Sequence, residues 1–373
     1  MTIEKNTEPF YNCHIHTFTL DHIPKRFIPF GITRLLRGSR ANILQRSLRW
    51  LFRNRPDSIP HRYASFLETA DKATQKEVFD EVKGFYPSNT RFVILPMDMA
   101  FMGAGEPFVP LKKQLEDQIE LVRHYKQAAL PFLPIDPRRF DSAKAARVFA
   151  EEWFAHNRDD YLGGSVFRGV KLYPPQGYHP NDPKLHDVYA LCQDLNVPIM
   201  THCNPGGVHS RHVHKTRIAR YTNPDSYIPI LRKFKDLRIC LAHFGGTEEW
   251  ERYFKDPKSR VKKDIDAGHE ARLSMNWLTK IMQLMAEKDF KNLYTDVSYT
   301  VFAVDHLLAP LSVILQNEKH VLDKTLFGSD YYMSHQEKFD ERFLSMKLRH
   351  ALGEKVFDTI ARKNPKTFLN IKD

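Results

Sequence analysis

Short apolar runs recur along the chain, each closed by glycine, proline or a polar turn and followed by a longer stretch of mixed polarity. Eight of these runs predict strands, at 10–16, 91–99, 129–136, 167–173, 197–203, 238–244, 292–298 and 325–331, because they are rich in β-branched, aliphatic and aromatic residues. The stretches between them carry the other periodicity. PLKKQLEDQIELVRHYKQ and KLHDVYALCQDLN place apolar residues at helical spacing. One strand, one helix and two loops need about 30–40 residues, and five of the seven gaps are of that size. The alternation predicts an α/β chain, a (β/α)8 TIM-type barrel spanning 1–373 as a single domain. A doubly wound open sheet would need a phosphate-type glycine loop after its first strand, where this chain reads HIHTFT.

The two oversize gaps predict insertions after strands 1 and 6, at 20–75 and 247–290, on the face where barrel enzymes act. Charge singles out the first. Between Asp21 and Arg62 stand ten Lys/Arg against two Asp, a net +8 out of the chain's +11. Ile43, Leu44, Leu48, Leu51 and Phe52 form an apolar stripe there, flanked by Arg40, Arg46, Arg49, Arg53 and Arg55. The expectation is a lid helix with a solvated basic face; an anion-attracting rim and a membrane-surface helix are the alternatives. Basicity this local gives no nucleic-acid character, and the arginines are not interleaved with stacking aromatics. No run approaches the roughly 18 apolar residues of a membrane span, and the N-terminus has no apolar signal core, so a cytoplasmic protein is expected. Cys13, Cys192, Cys203 and Cys240 lack any CxxC spacing and read as buried, reduced thiols.

Candidate chemistry sits at the strand ends. His14 and His16 close the first run, Lys171 lies in GVKLYP, His202 in VPIMTHC, His243 in ICLAHFGG and Asp330 in TLFGSD. Residues i and i+2 of a strand share a side, so His14 and His16 can bind one ion, with Cys13 and Ile15 turned outward. A lone HxH is weak evidence among 18 histidines. HxH on strand 1 with histidines ending strands 5 and 6 and an aspartate ending strand 8 is specific, since a catalytic metal needs about three protein ligands and an open position.

This arrangement resembles the amidohydrolase superfamily, and its amidohydrolase-related branch in particular, from CHIH through GVKLYP, MTHCNPGG, LAHFGG, LYTDVSY and LFGSD to NPKTFL. The resemblance implies a metal-dependent hydrolase with one or two divalent ions, zinc first among them. His14 and His16 would bind the first ion and His202 that ion or a second. His243 would bind a second ion or position water and substrate, and Asp330 would bind metal and shuttle the proton. Lys171 would be a ligand only after carboxylation by CO₂; unmodified, it would pair with Asp330 or a substrate carboxylate. The implied reaction is attack of metal-activated hydroxide on an amide, lactone or ester of a small anionic substrate. Decarboxylation on the same barrel and a catalytically inactive binding scaffold are the alternatives. In the strand-5 loop, Arg211 and Arg217 are the candidates for an anionic substrate group, and His209, His212 and His214 imitate a metal site without an element to fix them. Asp296 reads as structural and Asp98 has no assigned role. A small-molecule substrate, no nucleic acid and a possible homo-oligomer complete the expectation.

Overall fold

The computed structural model describes residues 8–27, 68–159, 164–299, 305–333 and 340–371. All eight predicted strands are present. They are Tyr11–Ile15, Arg91–Ile94, Ala129–Pro131 continued by Leu133–Pro134, Val170–Leu172, Ile199–His202, Ile239–Ala242, Leu293–Asp296 and Thr325–Leu326, called strands 1 to 8 below. Every neighbouring pair is parallel. The ladder falls into a three-stranded and a six-stranded sheet, because strand 3 breaks at Phe132. Single backbone bonds bridge the two joints. Phe132 N donates to Ile94 O and Leu133 N to Gly169 O; between strands 8 and 1, Cys13 N donates to Phe327 O, Asp330 N to His14 O and His16 N to Tyr331 O. The chain thus adopts the (β/α)8 barrel fold.

Alternation along the strands separates two apolar layers. One side of each strand, including Phe92, Ile94, Val170, Leu172, Ile199, Ile239 and Leu293, joins the large cluster shared with the helices. The other side, with Val93, Leu95, Leu130, Phe132, Met200, Cys240, Tyr294 and Leu326, forms a separate inner cluster closed by Phe368 and Leu369 of the last helix. Strand 1 breaks the alternation. Its register against strand 2 shifts between Asn12 and Ile15, a bulge that turns the strand by one residue. Cys13 therefore packs with Tyr11 in the inner cluster instead of facing the helices. His14 and His16 still reach the cavity beyond it.

The helices follow local rules. Leu111, Leu115, Ile119 and Val122 line the buried face of helix Leu111–Tyr125. Thr74, Ser142, Asn276 and Asp340 each cap a helix N-terminus with a side-chain oxygen. The insertion after strand 6 is helical, with Thr247–Lys255 and Trp277–Ala286 as its longer pieces. The basic stripe and arginines of the first insertion lie outside the described residues. The chain ends in the short helix Asn364–Leu369, with Pro365 in its first turn. All four cysteines are buried and free. Among the described residues no helix is long and apolar enough to cross a membrane.

A candidate metal centre at the strand ends

The carboxyl ends of the strands enclose a cavity of about 330 Å³. His14, His16, Lys171, His202, His243 and Asp330 all line it and all are buried. Arg211 and Arg217 are not among its described lining residues. Arg211 donates through Nη2 to Phe27 O at 2.8 Å, and Arg217 is exposed on helix Lys215–Thr222. His214 caps that helix, and the His212 ring packs on Gly103. Asp98 is held bidentate by Arg139, at 2.6 and 2.8 Å.

Two of the site residues sit on strained backbone: His243 has φ 70° and Asp330 φ 57°, in the left-handed region that L-residues avoid. His243 follows directly on the end of strand 6 and Asp330 lies four residues beyond strand 8, and both side chains line the cavity. Sparsely populated backbone of this kind concentrates at functional sites.

Proton bookkeeping in the cluster shows what it lacks, with tautomers assigned from the hydrogen-bond network. Asp296 Oδ2 accepts from His14 Nδ1 at 2.9 Å, and its Oδ1 accepts from His243 N at 2.9 Å and from Ser298 Oγ at 2.5 Å. The single Ser298 hydroxyl proton is thereby used, so Ser298 Oγ accepts from His243 Nδ1 at 2.8 Å. His16 Nδ1 donates to Leu95 O at 2.6 Å and His202 Nε2 to Gly206 O at 3.0 Å. On this assignment the remaining ring lone pair is on Nε2 of His14 and of His16 and on Nδ1 of His202.

His16 Nε2 lies 3.0 Å and His14 Nε2 3.4 Å from Asp330 Oδ1, and His202 Nδ1 lies 3.0 Å from His243 Nε2. Among the described residues His14 Nε2 and Asp330 Oδ1 have no hydrogen-bond partner. Two acceptors pointed at one another in a buried site are unfavourable unless a cation or a proton lies between them. His14, His16 and Asp330 offer ligand atoms all within 4.8 Å of one another. The backing of His14 by a carboxylate and of His16 by a carbonyl is the outer-shell arrangement that orients metal-binding histidines.

Electrostatics agrees. Burial first, and then Lys171 and neighbouring histidines, hold His14 well below the ordinary imidazole value. Burial and Lys171 take His202 down to about 3, and burial with His202 and His14 depresses His243. Neutral imidazole is the ligand form. Burial pushes the Asp330 carboxyl above its usual range, against the pull of His16 and Lys171.

Asp296 and Ser298 are the residues that sequence reasoning underrated. Their i, i+2 spacing from the end of strand 7 turns both side chains toward His14 and His243, the same signal that singled out His14 and His16.

A barrel with histidines and a carboxylate converging at its strand ends defines a class of metal-site proteins. The chain belongs to the amidohydrolase family, whose model matches residues 117–371; His14 and His16 precede the matched segment. Comparison with curated proteins gave no match. Among solved structures, an amidohydrolase from Burkholderia multivorans with bound zinc is 12% identical, with 98% of this chain and 100% of that one covered and a TM-score of 0.55. 5-Carboxyvanillate decarboxylase from Sphingomonas paucimobilis is 10% identical, covering 98% and 100% at 0.53. 4-Oxalomesaconate hydratase from Rhodopseudomonas palustris is 12% identical, covering 97% and 95% at 0.52. Identities this low show a shared fold and leave the reaction open.

Proposed function

We propose that the chain is a metal-dependent hydrolase acting on a C–N or C–O bond, in an amide, lactone or ester, of a small anionic substrate. The observation that carries this is the convergence of His14 Nε2 and His16 Nε2 on Asp330 Oδ1, with His14 Nε2 and Asp330 Oδ1 lacking a hydrogen-bond partner among the described residues. Nitrogen donors with one carboxylate oxygen fit a divalent ion of the zinc type, and zinc is the ion named for the Burkholderia multivorans amidohydrolase. His14, His16 and Asp330 would hold it, with His202 the next donor. Such an ion, when bound, acidifies water and polarises a carbonyl.

The chain's own residues supply the rest. Asp330 takes up the proton released as water attacks the carbonyl carbon and returns it to the leaving nitrogen or oxygen. Its raised affinity for a proton suits both halves of that task. His243 is fixed through Nδ1 by Ser298 and aims Nε2 into the cavity, where it orients water and substrate. Phe18, Ile23, Met97 and Met99 add apolar lining to the same cavity.

The test is elemental analysis of protein purified without chelator, paired with turnover on a panel of lactones, esters and cyclic amides. His16→Ala and Asp330→Asn are expected to reduce kcat by a factor on the order of 100 or more, and His16→Ala to reduce metal content, with circular dichroism unchanged. Full activity in either folded variant would refute the assignment. Release of CO₂ in step with substrate consumed would assign decarboxylation instead.

A further inference from the structure

We infer that Lys171 is the anchor for the substrate's acidic group: an unmodified ammonium at the cavity floor that pairs with a single carboxylate on a small, otherwise apolar molecule. This names the substrate class for the site above, and it rests on that reading for the word substrate.

Lys171 stands in the middle of strand 4, 1% exposed, and lines the cavity. Its Nζ has no hydrogen-bond acceptor among the described residues. Its Nζ lies 6.0 Å from the centroid of the Tyr173 ring. Among the described residues neither neighbouring carboxylate is hydrogen-bonded to Lys171 Nζ. Asp296 accepts from His14, Ser298 and the His243 amide, and Asp330 lies against His14 and His16. A buried ammonium without a partner costs several kcal/mol. With no acceptor among the described residues and a cavity in front of it, the ammonium calls for an anion.

The surroundings set how many anions and of what kind. Lys171 and Asp330 are the only described lining residues with a formal charge, histidines aside. A divalent ion, the two carboxylates and Lys171 together leave one positive charge, which one substrate carboxylate neutralises. Met97, Met99, Phe18, Ile23, Val208 and Met333 make the remaining wall apolar. A volume of about 330 Å³ is at the small end for ligand sites.

The probes are benzoate and its neutral isostere benzamide, titrated calorimetrically into wild type, Lys171→Met and Lys171→Arg, each in chelator-stripped and metal-loaded form. In the stripped protein, wild type is expected to prefer benzoate. Lys171→Met should weaken benzoate on the order of tenfold or more and leave benzamide unchanged, while Lys171→Arg keeps part of the preference. Metal content per chain should be the same in all three, and the intact mass of wild type should show no acid-labile CO₂. Equal binding of the two probes, benzoate affinity unaffected by Lys171→Met, metal lost with Lys171→Met, or a CO₂ adduct on Lys171 would each overturn the proposal. Reductive methylation of Lys171 in wild type, read by peptide mass, gives a measurement independent of any variant's folding: benzoate should protect and benzamide should not. Turnover with an unchanged KM in Lys171→Met would remove the anchor and leave the hydrolase reading standing. Benzoate held by Lys171 in a protein without hydrolytic turnover would do the reverse.

Discussion

At the scale of single residues the site depends on Asp296, which touches neither cavity nor solvent. Its two oxygens accept from His14 Nδ1, Ser298 Oγ and the backbone amides of His243 and Ser298. It thereby fixes the tautomer of His14 directly and that of His243 through Ser298. An amide in its place has one acceptor instead of two and brings a donor where only donors converge. Asp296→Asn is therefore expected to weaken metal binding on the order of 10–100-fold, measured by competition with a chromogenic chelator. An unchanged affinity would mean that His14 is oriented by packing alone. Gly328 shows how tightly that packing is drawn: a Cβ there would sit 2.6 Å from His14 Cβ. The sequence marks strand-end histidines clearly, because HxH and the isolated histidines announce themselves by residue type. It marks their supports poorly. An aspartate in YTDVSY has the composition of any capping carboxylate, and only the fold shows that His14, 282 positions away, donates to it.

At the scale of elements, strands and helices were legible and departures from regularity were not. Each predicted strand overlaps an observed one, since eight β-branched and aliphatic runs at barrel spacing leave little choice. The bulge in strand 1 was invisible, as nothing in YNCHI distinguishes a shifted register from a regular one, and strict alternation then sent Cys13 to the wrong side. The break at Phe132 was hidden for the same reason. The anchoring of the strand-6 insertion was also illegible, because it joins the insertion to Asp225, 47 positions before Arg272. Asp225 receives Arg272 Nη2 at 2.8 Å and Lys280 Nζ at 2.7 Å, all three buried. Asp225→Asn would leave two buried cations with only neutral partners such as Asn223 and Gln283. Removing one partner of a buried pair costs about 3–5 kcal/mol. The expected result is a lowered Tm with faster hydrogen exchange through 257–286 and slower change in the barrel strands. Exchange that rises uniformly would show that the insertion and barrel unfold as one unit.

At the scale of the whole molecule, the balance of buried bases sets how stability responds to pH. Burial depresses His14, His202 and His243, and it takes His22, whose Nδ1 accepts from Thr19 N, from 6.5 to about 4. A base whose folded pKa lies below its unfolded value takes up protons first in the unfolded chain, so its stability contribution is whole above 6.5 and is lost as pH falls toward the folded value. Lys171 follows the same rule higher up, between its ordinary 10.5 and about 8, and adds nothing to the slope below that. Asp330, with its raised pKa, acts in the opposite sense and recovers part of the loss once its carboxyl is protonated in the fold. Chelator-stripped protein should therefore show a Tm plateau between about pH 8 and 6.5 and a progressive fall below it. The metal-loaded protein should start higher and converge on the stripped curve in acid, because protons compete with the ion for His14, His16 and His202. Scanning calorimetry from pH 8 to pH 4 on both forms measures this. A stripped-protein Tm that stayed level to pH 5 would mean that burial does not hold these imidazoles neutral, and the assignment of His14, His202 and His243 as a buried, metal-ready cluster would fall with it.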